Sequence, residues 1–301
     1  MRRKLIRQGN ESFTVTLPIK WLKQHKIKDE IEIAEKDNML EIRPSGLIEE
    51  APKIKEFDIS GLPEFLFVRI IGACYKAGYD ELKLKYSSGQ IKPIKAVVSE
   101  LIGYEITESK PEFLIIKRVV KSSTEQYHIS EKKCWHTLQA MTEDCLEGIK
   151  ANDKERLSSV IESDSTIDKF SDYCMHMLQK YNDIEVTNSF ISYLAVFQLE
   201  KIADMFLRIA RASLQKKFKP SISSLNQHGA INKLISNCYS AYYSFDIKTM
   251  EKLVEERKAI LLSIEKLIEK TKGAEQNYLI NLKEIIHLLS SLFTPIIIKN
   301  I

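Results

Sequence analysis

Paired cysteines are missing from this sequence. Its five cysteines are scattered, their number is odd, and no two of them stand in a Cys-x-x-Cys spacing. Disulfide-stapled secreted domains carry an even number of closely spaced cysteines, and structural zinc sites carry paired ligands. We therefore expect reduced, mostly buried thiols in a reducing compartment, and the spacing gives no support to a zinc site.

Long apolar runs are also missing. No uninterrupted apolar stretch reaches the roughly 20 residues that a membrane-spanning helix needs. The first residues, MRRKLIRQGNE, carry charges without the apolar core of a signal peptide behind them. The sequence predicts a cytoplasmic protein with no integral membrane segment.

Signatures of common catalytic sites are scarce. Residues 46–125 contain no glycine-rich phosphate loop and no nucleophile arrangement. Inward carboxylates on helices serve di-metal enzymes, but these usually include a Glu-x-x-His pair, and Asp172 with His176 is only a weak approach to one. We predict that the chain is not an enzyme. A metal-dependent hydrolase stays the alternative, and phosphatase turnover abolished by Asp168→Ala would support it.

Charge is segregated along the first fifty residues, although the net charge of the chain is only +4. Residues 1–28 carry eight Lys and Arg against the single acid Glu11, and residues 29–50 reverse this balance with eight acids against two bases. A basic surface of this kind is what a nucleic-acid binder presents. The chain of 301 residues is long enough for two or three domains.

The first segment, residues 1–45, has the short alternating pattern of strands. The predicted elements are strands at 3–8 and 12–17, one or two helical turns at 19–25, and a hairpin of 31–34 with 39–42. A piece of this size cannot bury enough surface as a monomer. We therefore expect it to need a partner.

This segment resembles the AbrB/SpoVT-type swapped-hairpin DNA-binding module. The matching features are Thr-x-Thr-Leu-Pro-x-x-Trp, from Thr14 to Trp21, and Ile-Lys-Asp before the final hairpin. The family commonly has Gly where this chain has Asp29, so that turn is expected to differ in detail. The resemblance implies that two chains interlock their hairpins into one barrel, so the protein would be a homodimer through its N-terminal barrel.

In that family the basic N-terminal strand and loops face DNA. Carried over to this chain, the candidate DNA contacts are Arg2, Arg3, Lys4, Arg7, Lys20 and Lys23. Such contacts to phosphates give an affinity that falls with salt, and they do not identify the bases that are read. The alternative is a dimerisation module with a solvated basic face.

Residues 46–125 predict a small two-layer α/β domain with the order β-α-β-α-β-β. The segments AGYDELKLK and LIGYEITES make it similar to the linker domain between AbrB-type and PhoU-type parts in archaeal regulators. A structural and a ligand-sensing role are both open for this domain.

The remainder, residues 126–301, is predicted to be all helical. The expected helices are 130–151, 153–181, 186–216, 226–246, 248–271 and 275–293. Pro220 and the serines after it separate the first three helices from the last three. Three long helices, a break and three more indicate an internal repeat.

Two of these helices carry carboxylates within their apolar stripes. Glu200 and Asp204 lie one turn apart on the third helix, and Asp164, Asp168 and Asp172 follow the apolar face of the second. Carboxylates that lose water need a cation, a proton or hydrogen-bond donors. Two readings stay open: an oxygen-ligand metal site shared by the two helices, and an ion-pair network with nearby bases. The nearby bases in the sequence are Arg208, Arg211 and Lys169.

The segments DSTIDKF and LEKIADMFLRIA resemble the two signature segments of the PhoU phosphate-uptake regulators. Members of that family are antiparallel helical proteins of two three-helix repeats, and in some of them these carboxylates hold metal ions. The resemblance implies metal ligation by Asp164, Asp168, Glu200 and Asp204. An all-oxygen site of this kind accepts Mg, Ca, Mn or Fe.

The second half of the helical region departs from the PhoU pattern. Aligned on the first half, it puts Arg257, Leu261, Lys283 and His287 in place of the four carboxylates. We therefore expect at most one metal site per chain. The second half is predicted to support shape and contacts with a dimer mate or partner.

Taken together, these features predict a DNA-binding transcriptional regulator of phosphate uptake with a helical sensing domain. A phosphate transporter or a signalling protein is the expected partner besides DNA. The alternative is an adaptor that docks on such a partner without binding DNA, its N-terminal barrel serving only dimerisation.

Overall fold

The computed structural model describes residues 2–24, 26–36, 39–44, 52–120, 123–180, 189–215 and 219–300. The chain is mainly helical, with 68% of its residues in helices. It divides into two units, Met1–Pro52 and Lys53–Ile301.

The first unit consists of two hairpins and a short helix. Its elements are β1 (Ile6–Gln8), β2 (Ser12–Thr14), α1 (Ile19–Gln24), β3 (Ile31–Lys36) and β4 (Met39–Pro44). β1 pairs antiparallel with β2, and β3 pairs antiparallel with β4, as two separate sheets. Gly9 turns the first hairpin at a φ of +77°, a conformation that side chains with a Cβ rarely adopt. The predicted strands, short helix and second hairpin are confirmed.

This first unit has no core of its own in its described part. None of the side chains described between residues 2 and 42 is buried. Eight large apolar side chains are exposed instead: Leu5, Ile6, Phe13, Val15, Ile19, Ile33, Met39 and Leu40. Because an isolated two-stranded hairpin is marginally stable in water, this surface is available for burial against a partner.

The second unit begins with a two-layer α/β element. Its members are β5 (Ile54–Asp58), α2 (Glu64–Lys76), β6 (Glu81–Lys85), α3 (Ile91–Glu100), β7 (Tyr104–Lys110) and β8 (Phe113–Arg118). The sheet has the order β5-β6-β8-β7, with only the β5–β6 pair parallel. Alternate residues such as Leu82 and Leu84 point to one face, where Ile71, Tyr75 and Ile94 from the helices cover them. The predicted β-α-β-α-β-β order is confirmed.

Six long helices complete the second unit. They are α4 (Thr124–Ala151), α5 (Lys154–Lys180), α6 (Ser189–Gln215), α7 (Ile222–Tyr243), α8 (Ile247–Lys270) and α9 (Ala274–Asn300). Each predicted helix is present. α4 begins earlier than predicted, because Ser123 and Gln126 form a reciprocal capping box there. Asn152 ends α4 in the left-handed conformation, and Asp153 then accepts hydrogen bonds from two backbone amides at the start of α5.

α9 continues past the predicted end at residue 293. Pro295 lies inside the helix and is buried, so the ring is held by packing although it cannot donate a backbone hydrogen bond. By length and composition α9 is the one helix, in the part of the chain that the structure describes, that could cross a membrane. Yet 44% of the relevant window is buried inside the protein, and α9 packs against α6, α7 and α8. Core helices of soluble proteins pass the same test, so this is consistent with the predicted lack of an integral membrane segment.

α5 is the helix on which the α/β element is mounted. The buried His176 ring stacks on Tyr75 at 4.6 Å between centroids, and its Nδ1 donates to the Tyr75 carbonyl at 2.7 Å. One turn further, Lys180 pairs with Asp80, which also accepts from Arg118 Nε at 2.9 Å. These buried polar contacts fix one register between α2 and α5, because each would lose its partner if the helices slid.

A buried carboxylate joins α4, α7 and α9. Glu131 is 1% exposed, and its oxygens accept hydrogen bonds from the hydroxyls of Tyr127, Tyr242 and Tyr243 at 2.7 to 3.1 Å. Lys299 near the end of α9 lies 3.6 Å from the same carboxylate and 3.5 Å from the centroid of the Tyr242 ring. A buried charge with this many donors and a cation is stabilised where it would otherwise be costly.

We expect Tyr242→Phe to lower the free energy of unfolding by about 1.5 to 3 kcal/mol, the range for a hydrogen bond to a charged group. The change removes one donor from Glu131 and keeps the ring. Tyr239→Phe is the matched control, because the Tyr239 hydroxyl bonds His136 Nε2 at 2.9 Å in an exposed position. Urea denaturation followed by circular dichroism measures both. Equal losses in the two variants would contradict a special role for the Glu131 cluster.

Candidate metal centre

The carboxylates predicted from sequence lie where α5 packs along α6. Asp164, Asp168 and Asp172 follow one another at one-turn intervals on α5, and Glu200 and Asp204 are one turn apart on α6. Electrostatic repulsion reaches Asp168 from each of the other four. The structure therefore brings all four predicted metal ligands into one cluster and adds Asp172 to it. This set of five is called the carboxylate cluster below.

Burial and mutual repulsion make the charged state of this cluster costly. Asp164 is only 8% exposed, and its burial, followed by repulsion from Asp204, raises its pKa to about 6. Burial of the carboxyl group and then repulsion from Asp164 raise the pKa of Asp168 to about 7. The Asp168 residue as a whole is exposed to solvent, although all four other acids act on its carboxyl group. Asp164 and Asp168 therefore hold their protons to a higher pH than ordinary aspartates do.

Two lysines supply part of the missing positive charge. Lys201 Nζ donates to Glu200 Oε1 at 3.0 Å and to Asp204 Oδ2 at 2.9 Å. Lys76, from the end of α2, donates to Asp172 Oδ1 at 2.8 Å. Five carboxylates thus face two directly bonded ammonium groups, so the cluster has an excess of negative charge.

Two oxygens of the cluster are buried and have no hydrogen-bond partner among the described residues. They are Asp164 Oδ1 and Glu200 Oε2. Leaving a buried polar atom without a partner costs about 1 to 3 kcal/mol. Carboxylate oxygens are the donors that hard cations prefer. The donor set therefore fits Mg, Ca, Mn or Fe.

The side chains as they stand do not form a closed cage. No group of three or more His, Cys, Asp or Glu side chains in the described ranges is arranged closely enough to hold a metal ion. Glu200 and Asp204 are instead both turned to Lys201. Binding of an ion by Asp164, Asp168, Glu200 and Asp204 would require these carboxylates to converge.

The ion pairs differ from those that the sequence suggested. Arg208 is exposed, and the positive charge of Arg211 acts to lower the pKa of Asp164. Lys169 turns to the α/β element, where it donates to the Ser99 carbonyl at 3.3 Å. The proximity of Lys201 to both acids of its helix was a signal in the sequence. No sequence signal pointed to Lys76, which comes 96 positions before its partner Asp172.

His176 serves a packing role in this structure. Its Nδ1 is engaged by the Tyr75 carbonyl, and burial lowers its pKa to about 4, which keeps the ring neutral. Asp172, one turn away, is engaged by Lys76. Each member of the pair that came nearest to a di-metal enzyme motif therefore has a partner in the α/β element.

The second half of the helical region has one ion pair, at Lys283, among the described residues aligned with the four predicted ligands. Lys283, aligned with Glu200, lies 2.8 Å from Glu265 of α8. Arg257, aligned with Asp164, is half-buried, and its Nε has no hydrogen-bond partner in the described structure. His287 is exposed. The expected limit of one metal site per chain stays a prediction.

The six basic residues predicted to contact DNA lie on the surface of the first unit. The side chains of Arg2, Arg3, Lys4, Arg7, Lys20 and Lys23 are exposed. Arg7 also donates to the Asn10 carbonyl at 3.4 Å, a long contact that leaves most of its guanidinium available. The arrangement leaves these cations open to an anionic partner.

Comparison with protein-family models, with curated proteins and with solved structures finds no significant match for this chain.

In the presence of a chelator, the free energy of unfolding of Asp164→Asn should rise relative to that of the wild type as the pH increases from about 4 to about 7. The folded-state pKa of Asp164, about 6, lies above the ordinary value of 3.8, so the folded wild type holds a proton that the unfolded chain releases. Wild-type stability is therefore lost as the pH rises through this window, and the loss reaches about 2 to 3 kcal/mol for this residue.

Glu162→Gln is the matched control, because Glu162 is on the exposed side of the same helix. Its difference from the wild type should stay constant with pH. Denaturant midpoints at several pH values measure both variants. An advantage of Asp164→Asn that grows as the pH falls would contradict the burial of this carboxylate.

Proposed function

We propose that this chain is a cytoplasmic DNA-binding transcriptional regulator of phosphate uptake. In this proposal the first unit pairs with that of a second copy in an AbrB-like swapped-hairpin barrel and binds DNA. The six helices form a PhoU-like domain of two three-helix repeats that senses a metal ion or a partner protein. The sequence resemblances supply the regulated process, and the structural observations below support the two binding activities.

The observation that carries the proposal is the combination of exposed bases and missing core in the first unit. Eight basic side chains, the six candidate DNA contacts among them, are exposed in its described part, and no described side chain is buried. Interlocking with a second copy would bury the exposed apolar side chains, Phe13 and Ile33 among them. The same step would double the number of bases on one surface. Bases presented in this way bind the phosphate backbone.

The carboxylate cluster supports metal binding as the second activity. Asp164, Asp168, Glu200 and Asp204 would hold the ion, which would supply the positive charge that the cluster lacks. Two buried oxygens of the cluster, Asp164 Oδ1 and Glu200 Oε2, have no described hydrogen-bond partner, whereas the oxygens of exposed acids bond to water. The fit is chemical, and the choice among Mg, Ca, Mn and Fe depends on geometry that forms on binding.

Wild-type protein should bind duplex DNA with an affinity that falls steeply with salt, and Arg3→Ala/Arg7→Ala should weaken it. Each phosphate contact removed should reduce the salt slope by about 1. Lys92→Ala/Lys95→Ala is the matched control, because it removes two exposed charges from α3 in the other unit. Fluorescence anisotropy at several salt concentrations gives the slopes.

Failure of the wild type to bind DNA at low salt would overturn the DNA-binding proposal. The adaptor would then be favoured, provided that the protein is still a dimer in solution. In that case a pull-down should recover components of a phosphate transporter or a signalling protein without chromosomal DNA. The exposed apolar surface of the first unit supports dimerisation in both candidates.

Asp164→Asn/Glu200→Gln should weaken the binding of Mn²⁺ by about tenfold or more, the range seen when ligands or their supports are changed. Calorimetric titration measures the affinity. Glu155→Gln/Glu162→Gln, which removes two exposed acids from α5, should leave it unchanged. Equal affinity in the wild type and in the cluster variant would place metal binding elsewhere.

A further inference from the structure

Lys201 bonds two of the proposed metal ligands at once, which no other described side chain does. It follows Glu200 directly and precedes Asp204 by three residues, and its long stem brings the ammonium between them, 3.0 and 2.9 Å from their oxygens. The Phe197 ring lies 5.4 Å from the same ammonium. The α6 helix therefore carries its own cation for its own acid pair.

This tethered cation satisfies only part of the cluster. It engages Glu200 through Oε1, while Oε2 of the same carboxylate is buried and has no described partner. Asp164 Oδ1, on the facing helix, is also buried and has no described hydrogen-bond partner. An ammonium carries one charge and donates along fixed directions, whereas a metal ion accepts several oxygens at once. The interior oxygens are thus suited to an ion that Lys201 does not replace.

The Lys201 side chain is also exposed enough to move from the two acids into solvent. Its side chain is 36% exposed, and the Asp204 side chain is 43% exposed. Ion pairs at such positions contribute little because water competes with them. By contrast, the Glu200 side chain is only 16% exposed, so this acid stays in the interior when the lysine departs.

We propose that Lys201 is a tethered competitor for the metal site: its ammonium holds Glu200 and Asp204 together until a metal ion displaces it into solvent. This inference rests on the proposed function, since it assigns a specificity-determining residue to that site. It accounts for the absence of a closed cage among the described side chains. Competition by Lys201 also makes the affinity of the site for metal lower than that of the same carboxylates without the lysine.

The test is a calorimetric titration of full-length protein with Mn²⁺. Lys201→Met keeps the length of the stem and removes the charge, so it should raise the affinity by roughly tenfold or more at low salt. Lys201→Arg keeps the charge and should bind close to the wild-type level. Lys76→Met is the matched control: its ammonium pairs with Asp172, outside the four proposed ligands, and the change should be less than about threefold.

Amine labelling reports the displacement itself. With Mn²⁺ present, acetylation of Lys201 in the wild type should become faster by mass spectrometry, because the ammonium has left its two acceptors. Lys252, which is 71% exposed on α8, serves as the internal reference and should not change.

The outcomes separate this inference from the metal proposal. If the wild type binds Mn²⁺ and Lys201→Met binds it equally or more weakly, the competitor role is wrong and the metal site stands. If only Lys201→Met binds, the competitor role is supported and Lys201 is the resident cation of the wild type. If neither protein binds, both proposals fail.

Discussion

The structure depends on how five carboxylates are accommodated between two packed helices. Helical spacing places them at one-turn intervals along α5 and α6, and burial of the carboxyl groups raises the pKa values of the three aspartates of α5. An apolar seam would pack more simply. Two lysines instead bond to the cluster, while two of its buried oxygens have no described partner. This is a site that packing alone does not explain.

α5 connects this cluster with the α/β element. Lys76, which neutralises Asp172, sits at the end of α2, one residue after Tyr75, whose carbonyl accepts from His176. Gly78 follows with a positive φ, and a Cβ there would approach the Lys180 backbone to 3.3 Å. One short segment therefore supplies a counter-ion, an acceptor and a close backbone approach. This segment packs against α5, and Lys76 joins the carboxylate cluster to the α/β element through Asp172.

Local sequence patterns predicted most of the helices and strands, but they could not predict contacts between residues that are far apart in the sequence. Apolar residues at helical spacing defined α4 to α9, and alternation defined the α/β strands, because both signals lie within a few residues. The same helical spacing predicted the positions of the four acids along α5 and α6. Lys76 could not be paired with Asp172 in this way, since their contact depends on the docking of two elements. The end of α9 was misjudged because a buried ring outweighed the usual effect of Pro295.

The first unit shows a different limit. Its strands and helix were predictable, yet its described side chains remain unburied when one chain is considered alone. A core that is completed by a second copy leaves a pattern of apolar residues in the sequence without revealing what covers them.

Regulation by a metal ion requires two states of the protein, because a ligand shifts an equilibrium only by the difference in its affinity for two states. In this chain Lys201 is bonded to Glu200 and Asp204 in one state, and a cation replaces it in the other. The two states differ in the charge of the cluster. The fifth carboxylate of the cluster, Asp172, is bonded to Lys76 of the α/β element. Charge at that junction, rather than a large movement, is the quantity that metal binding would change first.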